Sequence, residues 1–259
     1  MMVDRLFSDA GLAALYDVWW PQAQRKDLDF YLPLVMSAES VLDAGCGTGA
    51  LLHEARQSGH KGRLCGLDPA AAMLAQARKR LDIEWVLGHL PSIAWAHEFD
   101  LVVMTGHAFQ ALVEDHELRI SLAAIRLALT NNGRFAFETR NPLARAWEGW
   151  TPENAVEVTG AEGATVRITT QVETLFDGRI ISFTHSFTSP TWAQPQISRS
   201  TLRFLDADLL NSFLAGAGLV IEEQFGDWDR QPLTDTSPEI ISIARKLGPA
   251  TPAPRPHPR

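Results

Sequence analysis

The apolar residues of this chain fall into two rhythms. Between residues 40 and 140 short apolar runs alternate with stretches of helical spacing. Val41–Asp43, Arg63–Asp68, Glu84–Leu87, Asp100–Met104 and Arg134–Glu138 read as strands. Ala50–Gln57, Ala70–Arg80 and Asp115–Leu129 read as helices, and Asn131-Asn132-Gly133 as the turn into the fifth strand. Strands alternating with helices predict a mostly parallel sheet covered on both faces. Before this block, residues 8–36 carry leucines and aromatics at helical spacing, with Pro21 as a break.

From about Ala155 to Phe204 the second rhythm takes over: polar and apolar positions alternate and no helix intervenes. Val166–Glu173 and Ile180–Phe187 flank Phe176-Asp177-Gly178-Arg179, a hairpin signal, and a third strand is expected near Ser198–Phe204. This antiparallel insertion of roughly 50 residues is too small to bury much on its own and is expected to shield one side of the core. The α/β rhythm then returns with a helix from Asp206 to Leu214, a glycine stop at Gly216-Ala217-Gly218, and two strands, Val220–Phe225 and Glu239–Arg245. The predicted organisation is a helical segment at 1–36, a main domain at 37–247 that carries the insertion at 145–205, and a proline-rich extended tail at 248–259.

Composition narrows this only a little. The chain has 259 residues and is 46% hydrophobic, enough for a sizeable core, and its formal charge is −8 without a basic run. That balance argues against a nucleic-acid backbone as partner. Cys46 and Cys65 have neither metal-ligand nor disulfide-framework spacing, so no metal site is expected and a reducing, cytoplasmic compartment is. No signal peptide is visible, and no apolar run approaches the roughly 20 residues that span a bilayer. The expected partner is a small molecule, not a membrane, with a monomer and a homodimer both open.

The chemistry is concentrated in Ser40-Val41-Leu42-Asp43-Ala44-Gly45-Cys46-Gly47-Thr48-Gly49. A strand ends in an acid, and glycine at every second position then turns the backbone sharply into a helix. Asp68 ends the next strand, where a carboxylate can take both hydroxyls of a ribose. Gly45-x-Gly47-x-x-Ala50 also fits the looser dinucleotide fingerprint, so a nicotinamide or flavin dinucleotide is one reading. Asp43 would repel a pyrophosphate and suits a cation, which makes S-adenosylmethionine, with its ammonium and sulfonium, the other.

Val41-Leu42-Asp43-Ala44-Gly45-Cys46-Gly47-Thr48-Gly49 resembles the first motif of the class I S-adenosylmethionine-dependent methyltransferases. Gly66-Leu67-Asp68-Pro69-Ala70-Ala71-Ala72-Met73-Leu74 resembles the second, Phe99–Met104 the fourth-strand motif, and Leu127–Phe135 the lead into strand five. The resemblance implies a Rossmann-like, doubly wound seven-stranded sheet with an antiparallel last strand, plus the N-terminal helical cap and the β insertion. It implies methyl transfer to a nitrogen or oxygen atom of a small molecule. By the same resemblance Gly45, Cys46 and Gly47 contact the methionine part of the cofactor, and Asp43 orients its ammonium. Asp68 holds the ribose, while Pro69 or Met73 packs on adenine. Gly88-His89 stands where the family often has Gly-Asp, so His89 and the backbone of Leu90 are the adenine candidates. Thr105 lies near the methyl group, and Tyr16 belongs to a Tyr-Asp pair similar to one that closes over the cofactor. His107, just after the fourth strand, is the candidate base. Arg140 and Asn141 follow strand five toward the substrate, and Trp19, Trp20, Trp147, Trp150 and Trp192 suggest an aromatic cover.

Overall fold

The computed structural model describes residues 3–160 and 163–247. The tail expected at 248–259 lies outside the described residues. In chain order the elements are α1 (Arg5–Ser8), α2 (Ala10–Trp19), α3 (Lys26–Met36), β1 (Ser40–Ala44), α4 (Ala50–Gln57), β2 (Arg63–Asp68), α5 (Ala71–Ala77) and β3 (Glu84–Leu87). They continue with β4 (Phe99–Met104), α6 (Asp115–Ala128), β5 (Leu129–Arg140), β6 (Val156–Thr159), β7 (Thr165–Val172), β8 (Ile180–Thr188) and β9 (Gln196–Arg203). The last three are α7 (Ala207–Gly216), β10 (Leu219–Phe225) and β11 (Glu239–Lys246).

Seven strands form the main sheet in the order β10-β11-β5-β4-β1-β2-β3. β3, β2, β1, β4 and β5 run parallel, and β11 enters antiparallel to both β5 and β10. Side-chain alternation sends each strand into two cores. Leu42, Val102, Phe135, Phe137 and Ile240 join Leu118, Leu122 and Ile125 of α6 and Leu210, Phe213 and Leu214 of α7 on one face. Val41, Leu101, Val103, Ala136 and Ile241 join Tyr31 and Val35 of α3 and Leu51 and Leu52 of α4 on the other. A sheet buried on both faces explains why its central strands lack polar alternation. Helix ends follow the local chemistry: Asp206 caps α7 by accepting from the Leu209 N–H at 2.8 Å, and Asp115 and Glu117 sit in the first turn of α6.

One local expectation changes. The Asn131-Asn132-Gly133 turn lies inside β5, because Leu129 already pairs with Phe99 before Arg134 pairs with Leu101. One residue of β4, Asp100, therefore faces four of β5, and 130–133 bulge out. The insertion has four strands, in the order β6-β7-β8-β9, one more than the pattern suggested. Val156–Thr159 was not legible because only Val158 of its four residues is buried. N-terminal helices α1 and α2 are packed between this sheet and the core. Leu6, Leu12 and Leu15 meet Val158, Val166, Ile168 and Phe187, while Ala13 meets Ala70 and Met73 at the start of α5. Among the described residues no helix is long and apolar enough to cross a membrane.

Gly66 shows how tightly β2 is built against the Trp85 side chain of neighbouring β3. A Cβ there would lie 2.5 Å from Cε3 and Cζ3 of Trp85, whose indole is fixed by a 2.9 Å hydrogen bond to the Arg80 carbonyl. Gly66→Ala is expected to cost about 1–3 kcal/mol in denaturant unfolding through overpacking. Adding Trp85→Leu should recover part of that loss; a purely additive double variant would place the strain elsewhere.

Candidate functional site

The carboxyl ends of β1, β2, β4 and β5 converge on one edge of the sheet, where a parallel α/β fold opens a crevice. Gly45 leaves β1 at φ 83°, and a Cβ on it would come within 2.8 Å of the Ala108 Cβ, so only glycine lets the two turns meet. Gly49 caps α4 at φ 80°, where a Cβ would run into the Trp85 ring. The glycine turn is held by the protein itself. The Gly45 and Cys46 N–H groups donate to the Leu67 carbonyl at 2.7 and 3.1 Å, and the Gly47 N–H donates to Asp68 Oδ2 at 2.8 Å. Thr48 donates its hydroxyl to Asp17 at 2.6 Å and so ties the turn to α2.

Asp43 is 1% exposed, and its Oδ1 has no hydrogen-bond partner among the described residues. Burial pushes its carboxyl up to about 7, with the Arg25 guanidinium opposing and Asp68 adding to the rise. A cavity opens beside it, lined by Tyr16, Asp43, Gly45, Cys46, Gly47 and Thr105 among the predicted residues. An unmet carboxylate oxygen at this cavity is a fit for a cation. Burial likewise raises the Cys46 thiol well above its ordinary value, which leaves it a small, un-ionised wall of the turn.

The other predicted cofactor residues do not line this cavity. Asp68 accepts from the Gly47 and Ala70 N–H groups, both at 2.8 Å, and shapes the turn. Met73 is 2% exposed beneath α2, Pro69 is half-buried, Leu90 is buried in the core on the α6 face, and His89 is exposed with its N–H on Ser92 Oγ. Arg25 lines the cavity and was not anticipated. It forms a two-point contact with Asp27, Nε to Oδ1 at 3.2 Å and Nη2 to Oδ2 at 2.5 Å. Nothing in the chain marks it, since it lies in a turn between helices.

A second cluster surrounds His107, which stands at φ 62° just beyond β4, a left-handed conformation uncommon outside glycine. Its N–H donates to Glu138 Oε1 at 2.7 Å, and the Tyr31 hydroxyl donates to Glu138 Oε2 at 2.5 Å. The ring Nε2 lies 3.0 and 3.1 Å from the two carboxyl oxygens of Glu239. Burial, then the nearby Arg140 charge, pushes His107 down to about 3, while burial pushes Glu239 up to about 8. The pair is thus a neutral imidazole on a carboxyl that keeps its proton near neutral pH. Glu138, Glu239 and Tyr31 were not singled out by sequence reasoning. Glu138 had a signal, an acid ending an apolar strand as Asp43 and Asp68 do. Glu239 begins its strand and reaches this edge only because β11 runs antiparallel.

Above the cluster, β8 presents Phe183, His185 and Phe187. Trp19 lies edge-on to His185 with centroids 4.9 Å apart, and Trp150 lies 4.7 Å from Phe183. The five tryptophans divide: Trp147 packs on Phe204, Trp192 on the α1–α2 cluster, and Trp20 is 51% exposed. Asn141 is committed to the fold, donating to the Ser237 carbonyl at 2.9 Å and accepting from the Leu143 N–H at 3.1 Å.

Residues 41–133 match the family described as "Methyltransferase domain". Over this stretch, about a third of its length, the chain is similar to methyltransferase domains. A 118-residue stretch is 36% identical to 2-phytyl-1,4-naphthoquinone methyltransferase of Thermosynechococcus vestitus, covering 44% of this chain and 49% of that protein. The match to a putative methyltransferase of a Geobacillus species covers 54% of it, so the chain spans about half the length of the curated relatives it matches. The fold is shared with the CcbJ methyltransferase from Streptomyces caelestis, at TM-score 0.74 and 20% identity over 95% of this chain and 100% of that one. It is shared also with CalS10, an amino pentose methyltransferase of Micromonospora echinaspora, at TM-score 0.67 and 21% identity over 90% and 97%. The expected fold class, a seven-stranded sheet with an antiparallel last strand, is the one these structures share. The matched residues include the glycine turn, both strand-end aspartates and His107, whereas Glu138, Arg140 and Glu239 lie beyond them.

Asp43 gives a stability test. Its folded pKa, raised from 3.8 to about 7, makes ionisation oppose folding, so the penalty is absent below about pH 4, grows from there, and levels off above about pH 7. Asp43→Asn should therefore melt at a higher temperature than the parent at pH 8 and at the same temperature near pH 3.5. Equal melting at both pH values would show that the carboxyl is not strained.

Proposed function

We propose that this chain transfers a methyl group from S-adenosylmethionine to a nitrogen or oxygen atom of a small molecule. The observation that carries the reading is the unmet Oδ1 of buried Asp43 beside a glycine turn whose first N–H groups are already bonded. A dinucleotide pyrophosphate needs those N–H groups free and no carboxylate beside them. A cationic ligand without phosphate meets both conditions. The small-molecule acceptor is in keeping with the naphthoquinone and amino pentose named for two similar proteins.

When bound, S-adenosylmethionine supplies an electrophilic methyl carbon on a positive sulfur and leaves as a neutral thioether. In this reading Asp43 faces the ammonium, Gly45, Cys46, Gly47 and Thr105 enclose the methionine end, and Tyr16 covers it from α2. Asp68 serves the ribose, and Pro69, Met73, His89 and Leu90 belong to the adenine side. The chain's main contribution is alignment and exclusion of water, since the displacement needs an in-line lone pair more than covalent help. His107 acts on the acceptor proton. While Glu239 keeps its proton, its O–H occupies Nε2 and the ring proton sits on Nδ1; once Glu239 ionises, Nε2–H donates to it and the Nδ1 lone pair is free.

Calorimetry should find S-adenosylmethionine binding in the parent and at least about tenfold weaker binding in Asp43→Ala, with no binding of reduced nicotinamide dinucleotides. Binding of the nicotinamide alone would overturn the reading, and binding without transfer to any amine or hydroxyl acceptor would favour a sensor. Turnover on a hydroxyl acceptor should rise with pH up to about 8, where Glu239 ionises, and then level off. Glu239→Gln should abolish that rise and His107→Ala should lower the rate about 10²–10⁴-fold. A rise that survives Glu239→Gln would assign the titration to the acceptor, as for an amine.

A further inference from the structure

Arg140 ends β5 directly across the ladder from Glu239, yet its guanidinium does not pair with that carboxyl. Among the described residues no carboxylate lies within 4.0 Å of it. Its one side-chain hydrogen bond runs from Nη1 to Gln110 Oε1 at 2.9 Å, and the Trp150 ring lies 5.4 Å from its central carbon. Nε and Nη2 have no protein partner among the described residues, and neither is sealed from solvent. Gln110 is held from its other end, donating to the Arg203 carbonyl at 2.8 Å, so the fork is fixed in place rather than swinging free.

The groups facing Arg140 come from every element around it. Glu138 is occupied by Tyr31 and the His107 N–H, and Glu239 by the His107 ring. From the insertion, His185 Nδ1 is hydrogen-bonded to the Thr170 hydroxyl, 2.9 Å away, and its Nε2 is unpartnered among the described residues. The Arg140 charge reaches His107, His185 and the Tyr16 hydroxyl, and after burial it contributes to keeping both imidazoles neutral. A partly buried guanidinium with open donors, facing an aromatic wall of Trp19, Trp150 and Phe183, is a half-built ion pair.

We infer that Arg140 anchors an anionic oxygen group, carboxylate or phosphate, on the methyl acceptor, with the acceptor's apolar body against Trp19, Trp150 and Phe183; this rests on the methyltransferase reading above. A planar guanidinium fork is built for two-point contact with either group. Anchoring there leaves the rest of the molecule beside His107, between the β4 and β5 ends.

The test titrates benzoate, phenyl phosphate and the neutral isostere benzamide into the full chain with S-adenosylhomocysteine present, read by calorimetry. At least one anion should bind at least about tenfold tighter than benzamide, and Arg140→Gln should weaken that anion about 10- to 100-fold while leaving benzamide unchanged. Arg140→Lys, which keeps the charge but not the fork, should fall between and serves if the glutamine variant does not fold. The better anion tells carboxylate from phosphate. Equal binding of anions and benzamide, failure of both anions to bind, or anion affinity unaltered in both variants overturns the assignment. S-adenosylhomocysteine affinity is read separately: its absence with the Arg140-dependent anion site intact would remove the methyltransferase reading and leave the anion site standing.

Discussion

Glu138 is fully buried, and its two carboxyl oxygens accept from groups far apart in the chain, the Tyr31 hydroxyl on α3 and the His107 N–H beyond β4. Each such bond to a charged acceptor is worth about 1.5–3 kcal/mol, and leaving either oxygen unmet inside the protein would cost a similar amount. Burial raises the Glu138 carboxyl, with His107 and Tyr31 opposing, and the Tyr31 phenol is driven well above its usual range by burial and by the acid beside it. Neither partner can leave without stranding the other. That mutual dependence holds His107 in a left-handed backbone conformation which its own sequence does not favour. It also sets the distance between the β4 turn, where His107 begins, and the β5 end, where Arg140 projects.

The site is thus a set of charges held out of water by the fold and left incompletely compensated. On one side of the β4 turn, Asp43 is buried with one oxygen unbonded and, among the described residues, only the Asp27-bound Arg25 as a nearby cation. On the other, Arg140 has open donors and carboxyls that are already engaged. One deficit calls for a cation and the other for an anion, and the two flank Thr105, Gly106 and His107. A protein optimised only for stability would not keep either. Low-dielectric surroundings make each deficit strong, so small ligands of the right sign gain more here than on the surface.

The insertion and the N-terminal helices act as one cover. Leu6, Leu12 and Leu15 share a core with Val166, Ile168 and Phe187, and the Leu6 N–H donates to Ser198 on β9 at 2.8 Å. Tyr16, Asp17 and Trp19 of α2 therefore arrive over the glycine turn and beside His185 together. Neither segment could hold that position alone, since each buries its apolar face against the other.

Local chemistry wrote much of this chain's fold into its sequence. Glycines at positive φ, strand-end acids and runs apolar on both faces are each dictated by neighbours a few residues away, so the glycine turn, α4, β2 and β3 were legible with nearly their observed ends. Resemblance to a methyltransferase rested on those same local features. β6 escaped because a half-exposed edge strand carries little apolar signal, and the bulge at 130–133 because pairing of Leu129 with Phe99 depends on another strand. Glu239, Tyr31 and Arg25 acquire meaning only when β11 runs backwards beside β5 and α3 folds under the sheet. A buried charge has no signature in sequence, for its consequence depends on what surrounds it. The sequence alone determined the sheet and its glycine turn; only the tertiary structure decided which acids and bases share one dry edge of that sheet, because desolvation and charge pairing act through space.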